Sequence, residues 1–185
     1  MNDLILSNLK TPGTELGRVP LAHGSGFPAA CLNTYVTKVG GVIETTILID
    51  LAQGSGGGGT AGDIIGTYED VANPAYIAQL DDVINGVVFA CRVSCIELPT
   101  GGDPDINVTF SATDDDVHDS AVSSGTILVD EGDLTLGQNA VTAIGATTIA
   151  AGTNAKPYVY LVNGVATDAA YTAGKVILTF YGASF

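Results

Sequence analysis

The sequence predicts an all-β protein: an antiparallel β-sandwich, jelly-roll-like, with an extended N-terminal arm. Three observations predict it. Thr, Val and Ile recur in short apolar runs broken by Gly, Asn, Asp and Pro, which is the texture of strands joined by tight turns. Roughly eight such runs follow one another at the spacing of two packed sheets, which favours a sandwich over a parallel α/β sheet. No stretch repeats its apolar residues with the 3.6-residue period of a long amphipathic helix. The 185 residues suit one full-sized core. With 46% hydrophobic and only 14% charged residues, the chain is no disordered acidic tail.

Residues 1–38 read as the arm, because Pro12, Pro20 and Pro28 and several glycines interrupt any regular element. Leu16, Val19, Leu21 and Phe27 are poor choices for a freely solvated tail, so the arm is expected to lie along a surface of its own chain or of a neighbour. With Arg18 they form the expected contact with a partner or a neighbouring subunit. The body, residues 39–185, opens with a strand over 42–51, where Ile47, Ile49 and Leu51 alternate with Thr46, Leu48 and Asp50. A flexible glycine loop is expected at 54–59, then short strands at 63–66 and 76–80. The strongest strand spans 86–98, with Val87, Phe89, Cys91, Val93 and Cys95 on one side and Val88, Ala90, Arg92, Ser94 and Ile96 on the other. Ile106, Val108 and Phe110 mark the next strand, ended by an acidic loop over 113–124. Further strands are expected at 126–130, 134–136, 158–162 and 175–181. Residues 139–151 fit either a loop or a short helix. No internal repeat points to a propeller or solenoid.

Twenty acidic residues face six basic ones, giving a net charge of −14. Such a field repels phosphate backbones and anionic membranes, so neither nucleic acid nor a membrane is an expected partner. Residues 1–40 hold two acids and three bases, +1, which leaves 18 acids and three bases, −15, for residues 41–185. The N-terminal segment is thus chemically distinct. Cys91 and Cys95 share one strand face about 13 Å apart, beyond the roughly 7 Å reach of a disulfide. With Cys31 they are expected to be buried free thiols, weakly favouring a reducing compartment. The start MNDLILSNLKTPG has neither a basic n-region nor a useful apolar run, so no secretory signal is expected. No segment nears the roughly 20 apolar residues of a membrane span.

Three patterns invite chemistry. Gly54-Ser-Gly-Gly-Gly-Gly59 formally matches the dinucleotide-binding G-x-G-x-x-G. No helix pattern follows it and no Lys-Ser/Thr pair makes a P-loop, so a plain loop is expected. Asp114-Asp-Asp-Val-His118-Asp119 is the densest set of oxygen ligands, of a kind that can hold Ca²⁺. It lacks the glycine and terminal glutamate of an EF-hand, and a solvated loop without metal is expected. Asp103-Pro-Asp105 reads as a turn into a strand. His23 falls in the arm and His118 in the acidic loop, neither on a core strand, and no G-x-S-x-G or H-E-x-x-H occurs. No enzyme activity and no cofactor are therefore expected. Asn107-Val-Thr109 fits a glycosylation acceptor but lies inside a strand.

Glu44-Thr-Thr-Ile-Leu-Ile-Asp-Leu51, Gly59-Thr-Ala-Gly-Asp-Ile-Ile-Gly66, Tyr76-Ile-Ala-Gln79, Asn85-Gly-Val-Val-Phe-Ala90, Cys95-Ile-Glu-Leu-Pro99, Gly102-Asp-Pro-Asp-Ile106, Tyr158-Val-Tyr-Leu161 and Tyr171-Thr-Ala-Gly-Lys175 through Tyr181-Gly182 follow in order. This run, from about residue 42 to 182, resembles the capsid decoration (cement) proteins of marine and cyanobacterial tailed phages. The first 40 residues have no counterpart there, and the group has no catalytic motif to carry over. The resemblance implies a virion protein on the capsid exterior, assembled in the host cytoplasm. Its partner would be the major capsid protein, and it would act as a homo-oligomer, with a trimer favoured. Two rivals share the fold class: a tail-fibre or receptor-binding head, and a calcium-dependent carbohydrate-binding β-sandwich. The first would usually carry exposed aromatics for sugar stacking, and this chain has no Trp; the second should carry a secretory signal.

Overall fold

The computed structural model describes residues 14–17, 21–123, 125–144 and 156–183. It is an antiparallel β-sandwich. Twelve strands run β1 (Thr14–Gly17), β2 (Leu32–Val39), β3 (Val42–Asp50), β4 (Ser55–Gly56), β5 (Gly66–Thr67), β6 (Ala78–Gln79), β7 (Val87–Thr100), β8 (Ile106–Ser111), β9 (Thr126–Val129), β10 (Asn139–Ala143), β11 (Tyr158–Asn163) and β12 (Ala173–Ala183). One helical turn, α1 (Asp82–Asn85), precedes β7. The first sheet has the order β1-β2-β3-β12-β7-β10 and the second β6-β11-β8-β9, with β4 and β5 paired apart from both. From β3 onward the chain changes sheet at every step between these strands except the β8–β9 hairpin. The C-terminal β12 lies between β3 and β7, paired to both along its length.

Period-two alternation puts Ile43, Ile47 and Ile49 of β3 and Val176, Leu178 and Phe180 of β12 into the core. Ile106, Val108 and Phe110 of β8 meet them from the second sheet. The Phe110 and Phe180 rings stack across the interior, 5.7 Å between centroids, which adds about 1 kcal/mol beyond burial alone. The other face of β8 is covered as well. Asn107, Thr109 and Ser111 are buried there, and Ile64, Ala75, Tyr160 and Val162 make a small second core where loops close over the outside of the second sheet. Among the described residues no helix is long and apolar enough to cross a membrane.

Several expectations are corrected. The simple alternation expected for 86–98 fails at its ends, because Gly182 pairs with Val88 and Tyr181 with Ala90. Phe89 is thus the extra residue of a β-bulge: Val88 turns inward and Phe89 is exposed. A second register shift makes Ile96 the extra residue of another bulge, and it is exposed on the side opposite Cys95, where the alternation put it. Residues 134–136 form no strand; Leu134 is buried and Leu136 exposed, whereas two residues apart in a strand they would share a face. Residues 139–143, read as loop or helix, form β10 along β7, while 145–151 lie outside the described residues. The boundary expected at 38/39 also moves. β2 pairs residue for residue with β3, so the chain from Leu21 onward belongs to the body.

Candidate functional site

The expected contact residues separate. Leu16 lies in β1, opposite Thr37 of β2. Arg18 and Val19 lie outside the described residues. Leu21 and Phe27 are 7% and 1% exposed and belong to the core of their own chain, which corrects their assignment to a partner contact. The reason is local. The N–H groups of Gly24 and Gly26 donate to the carbonyls of Tyr76 and Pro74, and a Cβ on either glycine would stand 2.0 Å from a carbonyl oxygen of Pro74 or Asn73. Two glycines therefore let this segment close onto residues 73–76 and carry Phe27 inward.

The glycine loop is packed, with Ser55, Gly56, Gly57 and Gly58 all buried, against the expectation of flexibility. Its backbone donors are already matched to carboxylates of the same chain: Gly59 N donates to Asp119 at 2.6 Å and Thr60 N to Asp63 at 2.7 Å. The positions a phosphate would need are filled from within. Asn163, fully buried at the end of β11, locks the loop to the following turn. Its Oδ1 accepts from Gly58 N at 3.3 Å, and its Nδ2 faces the carbonyls of Gly58, Thr60 and Val165 at 3.3, 2.9 and 2.7 Å.

The acidic loop is anchored in the same manner, although a solvated loop was expected. Asp114 and Asp115 are exposed, but Asp116 is buried and accepts from Ser123 N at 3.0 Å. His118 is buried too, its Nδ1 3.0 Å from the Ile64 carbonyl. Asp119 takes the left-handed conformation, φ 58°, that brings its carboxylate to Gly59. Asp116 and Asp119 are thus committed to different backbone donors. Among the described residues no group of three or more His, Cys, Asp and Glu is arranged to hold a metal ion. His23 Nδ1 lies 3.0 Å from the Gly24 carbonyl, so both rings meet backbone carbonyls.

The sequence missed an interlocked acidic corner. Asp103 is buried, taking N–H bonds from Asp105 at 3.1 Å and Val165 at 2.5 Å, while Tyr171 donates to its carbonyl at 2.8 Å. Burial, and then Asp103, Asp130 and Asp133, raise the Asp105 carboxyl above the ordinary range. The Asp105 Oδ1 is buried without a partner. A Cβ on Gly164 would stand 2.1 Å from that carboxyl carbon, so glycine is what lets the turn after β11 close over it. Burial also pushes the Cys31 thiol, helped by Asp50, and the Cys91 thiol up to about 12, and raises Cys95. All three cysteines are free and buried, protonated and unreactive at neutral pH.

The outward face of the first sheet is open among the described residues. Tyr35, Phe89 and Val141 are 47%, 46% and 64% exposed there, beside the half-buried Leu48, Ile177 and Tyr181. Sequence alternation hints at it, since Leu48 and Ile177 sit on the non-core parity of their strands. No protein-family model, no curated protein and no solved structure matches this chain.

Proposed function

We propose that the chain is a virion structural protein, a decoration subunit that binds the exterior of an icosahedral phage capsid and stabilises contacts between major capsid subunits. What supports the reading is the ordered resemblance over residues 42–182 together with one structural observation: the groups that could do chemistry are used to hold the fold. The glycine loop is filled by Asp63 and Asp119, the histidines meet backbone carbonyls, and the thiols are buried. The surface that remains offers contact. The order β3-β12-β7-β10 facing β6-β11-β8-β9 also supports reading the body as a jelly roll, in which two Greek keys fold eight strands into two sheets.

A decoration subunit binds the assembled shell better than its free subunits, and so stabilises the shell by mass action. An oligomer multiplies modest affinities. The acidic loops would keep neighbouring particles apart. The test is fractionation of purified virions: a decoration protein travels with heads in hundreds of copies. Its presence in a few copies with tails would turn the reading to a tail-fibre head, and specific glycan binding would turn it to a carbohydrate-binding sandwich.

A further inference from the structure

We propose that the outward face of the first sheet pairs with the same face of a second copy of this chain, giving a two-fold back-to-back dimer. Three observations carry it. The first is charge. This face carries Glu44, Asp50 and Glu97 against Arg92 and Lys175, a balance of −1, while the whole chain carries −14. Thirteen of the fourteen net charges therefore lie elsewhere. Two copies repel one another through the acidic remainder of the chain, and this face carries little of that repulsion.

The second is that the charges the face does hold are self-complementary. Lys175 is satisfied within the chain by Glu97 and Asp50. Arg92 lies flat on the sheet, its guanidinium carbon 5.9 Å from the centre of the Tyr181 ring, and has no carboxylate partner among the described residues. Glu44, exposed on β3 two strands away, has no cation among them either. A copy turned over on this face brings a carboxylate to each arginine and an arginine to each carboxylate, the reciprocal arrangement a two-fold interface requires.

The third is area. Strands about 4.8 Å apart rising about 3.3 Å per residue give this six-stranded sheet an outer face of about 800 Å², which is what each partner of a standard stable interface buries, roughly 800 Å². Its exposed Tyr35 and Phe89, together with Arg92, are of the residue types enriched at interfaces. The two-fold pairing stands in place of the three-fold arrangement that the family resemblance implies.

Sedimentation velocity on the full chain needs no capsid, so its outcome is independent of the decoration role. At about 100 μM the expected species has twice the 18.7 kDa chain mass. Y35E/V141E places two carboxylates on exposed positions of the face. It should weaken the dimer by at least about 100-fold while the thermal unfolding of dilute protein stays unchanged. A monomeric wild type, a trimer, or a dimer that persists in Y35E/V141E overturns the proposal. Should the double variant itself unfold, I177K and the separate Y35E and V141E variants, read in the same way, decide it.

Discussion

Replacing Asn163 tests whether one side chain holds the glycine loop in place. The amide occupies a site with no exposed surface, where its Nδ2 faces three carbonyl oxygens and its Oδ1 faces one N–H. Two of these contacts, to Val165 and Thr60, are below 3 Å, and the two to Gly58 are at 3.3 Å, so two good bonds and two weak ones are at stake. At about 1 kcal/mol per bond, and about as much again for leaving the Gly58 N–H buried without a partner, N163A should cost about 3–4 kcal/mol. N163D keeps the shape but turns the donor into a charged acceptor aimed at three carbonyl oxygens. It should cost more than N163A at neutral pH, about 5 kcal/mol or more. Such a carboxyl would be raised by burial and by the carbonyls, so its protonated form is favoured in the folded state. Its deficit therefore shrinks as pH falls through that raised value. Urea unfolding of wild type, N163A and N163D at pH 7 and pH 5 measures each term. An N163D protein within about 1 kcal/mol of wild type at pH 7, or more stable than N163A, would refute the donor assignment on which the description of this corner rests.

Asp105 makes a second pH test. Its carboxyl is raised by burial and by Asp103, Asp130 and Asp133, so its contribution to stability is present below the ordinary carboxylate range and lost as pH rises through the raised value. D105N should therefore stabilise the protein at pH 7, by a few tenths to about 1 kcal/mol after solvent screening, and do nothing near pH 3; melting curves at the two values check both halves. Asp81 has the opposite sign. The Lys156 ion pair at 2.7 Å and the Val83 N–H that Asp81 caps hold it below the usual range. D81A should cost about 1 kcal/mol at neutral pH, a difference that disappears as acid protonates the carboxyl. Two glycines give a steric contrast. A Cβ on Gly182 would stand 1.8 Å from the Asn85 carbonyl, so G182A should lower the melting temperature by more than 10 °C, about 3 kcal/mol or more. Gly132, at φ 66° with open space around it, should tolerate alanine at a cost of about 1 kcal/mol.

The strands that bury one clean face were legible. Residues 42–51, 106–110, 158–162 and 175–181 each became a strand within a few positions of the expected ends, because a half-buried strand imposes period two on its residues. The misses have physical causes too. A bulge adds one residue and reverses the parity of everything beyond it, and nothing in the run from Val87 to Phe89 announces which residue is extra. β10 has small and polar residues, with only Ala140 fully turned to the core, so its pattern was too weak to separate strand from loop. The loops were misread as solvated because burial of His118 and Asn163 depends on backbone groups more than 40 residues away, Ile64 for His118 and Gly58 for Asn163. Composition reports acidity. It does not report which carboxylates are spent on N–H groups.

That distinction bears on how an acidic protein can be sticky and yet selective. Several of the carboxylates are fixed by backbone donors in the loops: Asp63, Asp103, Asp116 and Asp119. Their charge cannot migrate to the sheet faces or be neutralised by small rearrangements of side chains. The repulsive field is therefore tied to the fold itself, and so is the near-neutral sheet face that it leaves uncovered. A single added carboxylate on that face does two things at once: it desolvates badly in any contact, and it extends the repulsive field over a face nearly free of it. Association of this chain should for that reason respond far more steeply to acidic substitutions at Tyr35 or Val141 than to the same substitutions at the comparably exposed Leu136 or Val165 of the loops. A flat response across the two sets, measured by sedimentation, would mean that copies meet through the loops despite their charge.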